Sequence, residues 1–564
     1  MGKLNFGEVA GSWKLFSPEE KRNIAIYILG IMLYKFGLEA FNGSITALAT
    51  NRYDWEAWRS DSSAKTFERV GLLQGLNQAF QCVGSILIGP LIKRFPTKLV
   101  LAVAIFCFGL LTAILMIVDA STGGTFKPAG WRATNEDDFG YYGYYNTDAI
   151  IPIYCISGIA YGMVELIRRV IPRDIVGGNV QKLRRMDALV HIFYEIAGTA
   201  GAFCTALALI PRFGNNYSFI ITPIFFTCAS IVWFFISNLN YTKRTHLEKA
   251  EKKNYFMLVV EGFLFFGKSV YVGGKILLTN RRYIWLLPGY SVALYGHRYL
   301  ENGIAPPIAR RYLGNSAWSQ IMVGGSNFGE LLGAAFVFVF TNFIQTPIPW
   351  LRLDALSLLI VWYLPYWYPS RGNVNEAWKV AGTFIPISFG WAAGDVSLAA
   401  YIQASLARLE SQHTDVSALG SVMACLYSTY IVIYAIANPL LGRYIDSVYT
   451  AQRDIRPAIR NIAGVQFTII SLVVFSSTFI PKGALAFNPQ MLNDEALDVD
   501  LKKPDPRTDS DDDLKEHYHN GTIDDRRGSV TRANVGVEDA FSPDMSVIAN
   551  HEKTTLDKAG VREY

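Results

Sequence analysis

The stretch "YIWLLPGYSVALYGHRYLENGIAPPIA" (Tyr283–Ala309) decides how this chain is read. It is long enough to cross a bilayer, because about twenty helical residues at 1.5 Å each span roughly 30 Å of hydrocarbon. Yet it carries His297, Arg298 and Glu301 near its middle. An ionised side chain at that depth costs at least about 2.5–3.5 kcal/mol on insertion scales. No lipid-facing position repays that cost, so these side chains are expected to face a water-accessible interior.

The rest of the chain supports a bilayer as its solvent. Of 564 residues, 51% are hydrophobic, 14% aromatic and only 18% charged, with a mean hydropathy of +0.21. A soluble protein of this length needs more surface charge. Twelve apolar runs lie near 25–50, 67–92, 99–119, 149–172, 187–211, 217–239, 283–309, 317–343, 353–369, 377–406, 416–440 and 461–480. They are too long for barrel strands, so the fold class is all-α, a polytopic membrane protein. The six cysteines (Cys82, Cys107, Cys155, Cys204, Cys228 and Cys425) fall singly inside spans and read as small apolar fillers.

The organisation follows from charge. A cytoplasmic N-terminal segment (1–24) precedes a six-helix bundle (25–239). A basic linker (240–282) follows, its apolar middle interrupted by Glu261, Gly262 and Lys268, which reads as a surface-lying amphipathic helix rather than a further span. A second six-helix bundle (283–480) and an acidic tail (481–564) complete the chain. Arg and Lys gather at Ile92–Lys98, Pro172–Arg185 and the linker, which puts both termini in the cytoplasm by the positive-inside rule. The stretch Gly442–Arg460 runs against that rule, since it would face outward with four arginines. The first 24 residues lack the apolar core and cleavage site of a signal peptide.

The two halves echo each other. "LYKFGLEAFNG" (Leu33–Gly43) matches "LYGHRYLENG" (Leu294–Gly303) with small gaps, and "GLNQAFQCVG" (Gly75–Gly84) matches "GSNFGELLGA" (Gly325–Ala334), with Asn77 and Asn327 at corresponding places. Echoes at the same position in each half suggest parallel repeats about a pseudo-two-fold axis. "GPLIKRFPTK" (Gly89–Lys98), leaving the second span, resembles the signature loop of the major facilitator superfamily of secondary transporters. Gly89, Arg94 and Lys98 fit its pattern, whereas Lys93 stands where the family has Asp, and Pro96 and Thr97 where it has Gly and Arg. The resemblance covers roughly residues 20–482, and the long acidic tail is similar to that of fungal members. It implies twelve helices in two six-helix bundles, alternating access, and a loop carboxylate that latches one conformation. Asp174, on the next cytoplasmic loop, is the candidate to supply that carboxylate.

Depth selects the candidate cavity. Lys35 and Glu39 lie mid-span in the first run, His297, Arg298 and Glu301 in the seventh, Glu330 in the eighth and Asp395 in the tenth. Spacings of four and three allow Lys35 with Glu39, and Arg298 with Glu301, to neutralise each other within their own helices. Glu330 and Asp395 have no such partner. A desolvated carboxylate without a partner is suited to bind and release a proton, so proton coupling through Glu39, Glu301, Glu330 or Asp395 is expected, with His297 as a relay. Asn77, Gln78, Gln81 and Asn327 are mid-depth amides, suited either to a polar solute or to helix–helix bonding. Arg168 and Arg169 fall near the inner interface, where snorkelling toward lipid phosphate explains them.

The letters GxxxxGK[ST] occur once, in "GFLFFGKS" (Gly262–Ser269), but inside the apolar middle of the linker that reads as a helix and not as a strand-to-helix loop able to cradle phosphate; no GxSxG or HExxH pattern is present. An enzyme is therefore not expected, nor any catalytic residue, cofactor, metal or nucleic-acid partner. The expected partners are a small solute, protons and membrane lipid, and a monomer is expected. The expected location is the plasma membrane or a vacuolar or other internal membrane. Residues 484–564 hold 10 Lys/Arg against 18 Asp/Glu, a balance of −8 against +13 for residues 1–483. So polar a segment is expected to be disordered. It contains basophilic and acidophilic kinase-like sites at Ser529 and Ser510, and a sequon at Asn520 that matters only if the tail is lumenal. The leading functional expectation is a secondary transporter. The alternative is a non-transporting receptor or sensor of the same fold that signals through its tail.

Overall fold

Helix α1 (Pro18–Arg59) begins at a capping box in which Ser17 and Glu20 bond each other's backbone N–H, at 2.7 and 3.2 Å, with Pro18 in the first turn. Its 42 residues extend well beyond the expected 25–50 at both ends. The computed structural model describes residues 16–486 apart from 132, 177–179, 238–253, 341–343, 345, 407–417 and 482. The remaining helices of the first half are α2 (Thr66–Arg94), α3 (Thr97–Ser121), α4 (Thr147–Val176), α5 (Val180–Cys204, continuing to Phe213) and α6 (Ser218–Phe234). Helix α7 (Tyr255–Thr279) belongs to the linker. The second half comprises α8 (287–312), α9 (Ser319–Phe340), α10 (Ile348–Tyr366), α11 (Val374–Leu406), α12 (Ala418–Gln452) and α13 (Arg456–Ser477).

Among the described residues nine helices are long and apolar enough to cross a membrane. They are α7 and eight of the twelve bundle helices, the other four being the shorter α6 together with α8, α9 and α11. The protein is an integral membrane protein of all-α class, with twelve transmembrane helices in two six-helix bundles related by a pseudo-two-fold axis. Packing within the halves follows that symmetry: α2 lies on α4 in the first and α9 on α11 in the second. Between the halves α2 meets α12 and α5 meets α9, two pairs that the axis exchanges.

The face where α1 begins is here the near face, and that where it ends the far face. At the far side α2 and α12 approach so closely that a Cβ on Gly71 would stand 2.6 Å from the Asn438 carbonyl oxygen, and one on Gly75 2.9 Å from Ala435 Cα. Gly442 abuts the backbone of Phe67 in the same way. Glycine permits this approach because nothing projects from its Cα. The first part of the awkward stretch Gly442–Arg460 is thus not a loop but the last turns of α12, which end at Gln452.

Helix α7 contacts both halves. Tyr255 donates to the Leu87 carbonyl at 3.1 Å, Gly262 lies against Ile86, and Gly273 and Gly274 lie against Ser421 and Cys425. Those partners belong to the near-face parts of α2 and α12. Gly262, Ser269, Gly273 and Leu277 form its buried stripe, while Phe256, Leu264 and Tyr271 remain exposed.

Helix α8 is widened at Leu287–Val292, Leu300–Ile304 and Ile308–Tyr312 by π-type turns. Pro288, Pro306 and Pro307, each without an N–H to donate, lie in or beside them. These turns rotate successive parts of the helix relative to an unbroken 100° per residue, and so set which of its charged residues meet the interior.

Candidate functional site

A cavity of about 1080 Å³ lies between the halves. Its lining runs from Ser319 and Gln320 on the far side to Arg173 and Ile402 on the near side. Lys35, Glu39, Asn77, Gln81, Arg298, Glu301, Asn327, Glu330 and Asp395 all line it. The members of the second sequence echo, Asn77 and Asn327, therefore share one chamber, as do the cation–acid pairs of α1 and α8.

The charges divide into paired and unpaired. Lys35 Nζ bonds Glu39 Oε1 at 2.5 Å and stands 4.5 Å from the centre of the Tyr194 ring. Arg298 Nη1 bonds Glu301 Oε2 at 2.9 Å, and Glu301 Oε1 accepts from Ser326 Oγ at 2.6 Å. Arg168 Nε bonds Glu165 Oε2 at 2.7 Å, and Tyr34 donates to Glu165 Oε1 at 2.8 Å. Arg168 also lies over Tyr194, its side chain only 14% exposed, so it is turned inward rather than snorkelling to lipid. Among the described residues the lining holds six carboxylates (Glu39, Glu165, Glu195, Glu301, Glu330 and Asp395) and five Lys/Arg (Lys35, Arg168, Arg169, Arg173 and Arg298). Three of each are taken by these in-helix pairs. Among the described residues Glu195, Glu330 and Asp395 make no ion pair or hydrogen bond. The two cations left over, Arg169 and Arg173, are exposed at the near-face mouth.

Several residues of the same lining carry buried polar atoms without partners. Asn327 Nδ2, Glu195 Oε2, Gln320 Oε1 and His191 Nε2 are buried and unbonded. Asn77 by contrast is engaged: its Nδ2 donates to the Tyr154 carbonyl at 2.8 Å and its Oδ1 accepts from Gln81 at 2.7 Å. Buried polar groups are normally satisfied, so unbonded atoms in the residues around the chamber, together with its charged and amide side chains, fit a wall that serves a polar solute.

The far side of the cavity is shut by a charge cluster that sequence reasoning missed. Asp54, at the end of α1, accepts from Arg310 Nε at 2.7 Å and from Arg311 Nη2 and Nη1 at 2.6 and 2.9 Å. Thr66 Oγ1 donates to it at 2.5 Å. Arg310 also bonds Asp137 and, at 3.1 Å, the Glu136 carbonyl. Outside the spans, burial pushes the Asp137 carboxyl up from its ordinary value, an effect the Arg310 guanidinium opposes. Asp446 of α12 accepts from the Glu68 N–H at the start of α2, at 2.9 Å. Apart from the Thr66 bond, which lies within the first half, each of these bonds joins one half to the other, or to the α3–α4 loop. That loop is itself tied down by Arg52, which is buried, bonds the Gly143 and Tyr145 carbonyls at 3.1 and 3.2 Å and pairs with Asp119 at 3.5 Å.

The remaining sequence candidates fall elsewhere. His297 does not line the cavity: it is buried behind the wall, its Nε2 2.8 Å from Asp354 Oδ1 and its ring stacked on Trp391 at 5.0 Å. Asp174 lies in the last turns of α4 and not on the loop after it, and there it accepts from Thr97 at the start of α3. Lys98 Nζ donates to the Ile236 carbonyl at 2.7 Å, joining α3 to the end of α6. Gly89 is buried in α2 and Arg94 exposed at its end. Ser510, Ser529 and Asn520 lie outside the described residues. Among the described residues no cluster of His, Cys, Asp or Glu suits a metal ion.

No protein-family model matches the chain, and no curated protein matches it. Solved structures do. The nucleoside transporter NupG is 11% identical, covering 82% of this chain and 100% of its own, with a TM-score of 0.51. A D-xylose–proton symporter is 11% identical, covering 83% and 98%, with a TM-score of 0.50. A bacterial homologue of the human drug peptide transporters PepT1 and PepT2 is 13% identical, covering 84% and 99%, with a TM-score of 0.51. At such identities the likeness concerns the fold alone, and it extends over nearly the whole of each neighbour: this chain shares the fold of those structures, twelve helices in two six-helix bundles.

Proposed function

We propose that the protein is a secondary active transporter that moves a small polar solute by alternating access, coupled to protons. The single observation that carries this reading is a polar chamber between two bundles, closed at one side by the Asp54–Arg310–Arg311 cluster and lined by carboxylates without partners. A static binding protein has no need of a chamber whose far closure is made of bonds between separately movable halves. The bundles 25–239 and 283–480 are the moving bodies, joined by the linker 240–282. On the positive-inside argument the near face and both termini are cytoplasmic. The described conformation is then the inward-facing one.

Glu330 is the foremost proton carrier, with Glu39, Glu301 and Asp395 as the other candidates. It lies within electrostatic reach of Glu195, Glu301, Arg298 and Lys35, on helix α9 where that helix meets α5 of the other half. Glu330 bonds none of them, so a proton is the partner that the chain itself does not supply at that depth. The symporter among the structural neighbours supports proton coupling by its name alone. His297 is not retained as a relay, since it does not reach the chamber.

The experiment is reconstitution into liposomes with a trapped pH-sensitive dye and a panel of small solutes. Solute-dependent proton movement is expected, together with loss of pH-driven accumulation in Glu330→Gln. If every amide variant of the four acids still concentrates solute in response to an imposed pH gradient, the coupling is wrong. If no solute moves at all, the receptor reading takes its place.

A further inference from the structure

The three unpaired carboxylates of the chamber are not in equivalent surroundings. Asp395 follows Trp391 by one helical turn on α11, and both line the cavity. Tyr290, within electrostatic reach of Asp395, has its ring 6.3 Å from Trp391 at 52° and 6.2 Å from Tyr427 at 47°. Tyr290 thus links Trp391 and Tyr427 in a row of inclined rings that lines the cavity together with Asp395, and aromatic rings beside a carboxylate are the groups that hold an ammonium ion. Trp391 stands between the cavity, which it lines, and His297, which it does not share with the cavity. The stacked imidazole is itself held by Asp354, so the indole is braced from behind.

The cations near Asp395 do not occupy this role. His191, Arg169, Arg298 and His297 lie within electrostatic reach of Asp395, but none bonds it, and His297 is held by Asp354. Arg298 is committed to Glu301, and Arg169 is exposed at the mouth. A half-buried carboxylate left without a partner at mid-span calls for a charged partner from outside the chain.

Resting on the transporter reading, we propose that Asp395, Trp391, Tyr290 and Tyr427 form an ammonium subsite, so that the transported solute carries a protonated amine or quaternary ammonium group. This separates the two tasks of the chamber: Asp395 neutralises the solute and Glu330 carries the proton.

The test is binding to the purified full-length protein in detergent, followed by thermal shift and tryptophan fluorescence. Two cations, choline and ethanolamine, are compared with 3,3-dimethyl-1-butanol, the uncharged carbon isostere of choline. Tighter binding of at least one cation than of the isostere, by about tenfold or more, is expected. Asp395→Asn removes that preference, Asp395→Glu retains it, and Trp391→Leu weakens cation binding about 2- to 30-fold, the span of cation–π energies. Equal affinity for choline and its isostere, an undiminished preference in Asp395→Asn, or no binding of either cation at millimolar concentration overturns the proposal. Cation binding without solute flux in liposomes overturns transport and leaves the subsite standing. Flux of an uncharged or anionic solute without cation binding does the reverse.

Discussion

Replacing Asp54 by Asn should open the far side. Asp54 is 3% exposed and accepts three guanidinium bonds from Arg310 and Arg311 across the bundle interface. Removing one partner of a buried ion pair costs about 3–5 kcal/mol, because the remaining charge stays desolvated. Here two arginines are left facing an amide that still accepts a hydrogen bond, so the lower figure of about 3 kcal/mol applies. When the far side opens both guanidiniums rehydrate, so the loss falls on the closed form alone. At about 1.4 kcal/mol per tenfold, that is a factor of roughly 150. An equilibrium standing at about 99:1 for the closed form would fall to roughly 2:3. The assay is a distance distribution between spin labels at Ser62, beside the start of α2, and Ala451, at the end of α12, both exposed. A second, longer population should appear in Asp54→Asn and shrink again when Arg311→Gln is added, since that removes a stranded cation. An unchanged distribution in Asp54→Asn would refute the reasoning, because it would mean that the closure is held by the helix contacts alone.

Gly71→Leu should act on the same closure from the other side. A Cβ there already meets the Asn438 carbonyl at 2.6 Å, so the label distance should lengthen, and overpacking should lower stability by about 1–3 kcal/mol. Arg52→Gln should lower the melting temperature without changing the label distances, because it leaves Asp119 buried with its charge uncompensated inside one half; about 3–5 kcal/mol is expected. Acidification of the far side should favour closure through Asp137. Its carboxyl is raised by burial in the closed form and ordinary when exposed, so the closed form binds the proton more tightly. The gain begins as pH falls through the raised value and is complete below the ordinary one, about 3.9; comparing wild type with Asp137→Asn across that window isolates it.

Hydropathy made the spans and their two halves legible, and depth within a span made Lys35, Glu39, Arg298, Glu301, Glu330 and Asp395 stand out. Both are local properties, written in about twenty consecutive residues. Asp54, Arg310 and Arg311 gave no signal because they sit at the ends of spans, where charge is ordinary. What makes them a lock is the meeting of positions 256 and 257 residues apart. Arg168 looked like an interfacial arginine for the same reason, until Glu165 and Tyr194 were seen beside it.

His297 marks the boundary most clearly. Its burial was readable, but its direction was not: the π-type turns of α8 and the position of Asp354 on α10 turn it away from the chamber that Arg298 and Glu301 face. By itself the sequence determined that charges must be hidden from lipid, since transfer free energy depends on the residue and its depth. Only the tertiary structure decided which charges pair and which remain free, since that depends on azimuth and on partners brought in from the other half of the chain.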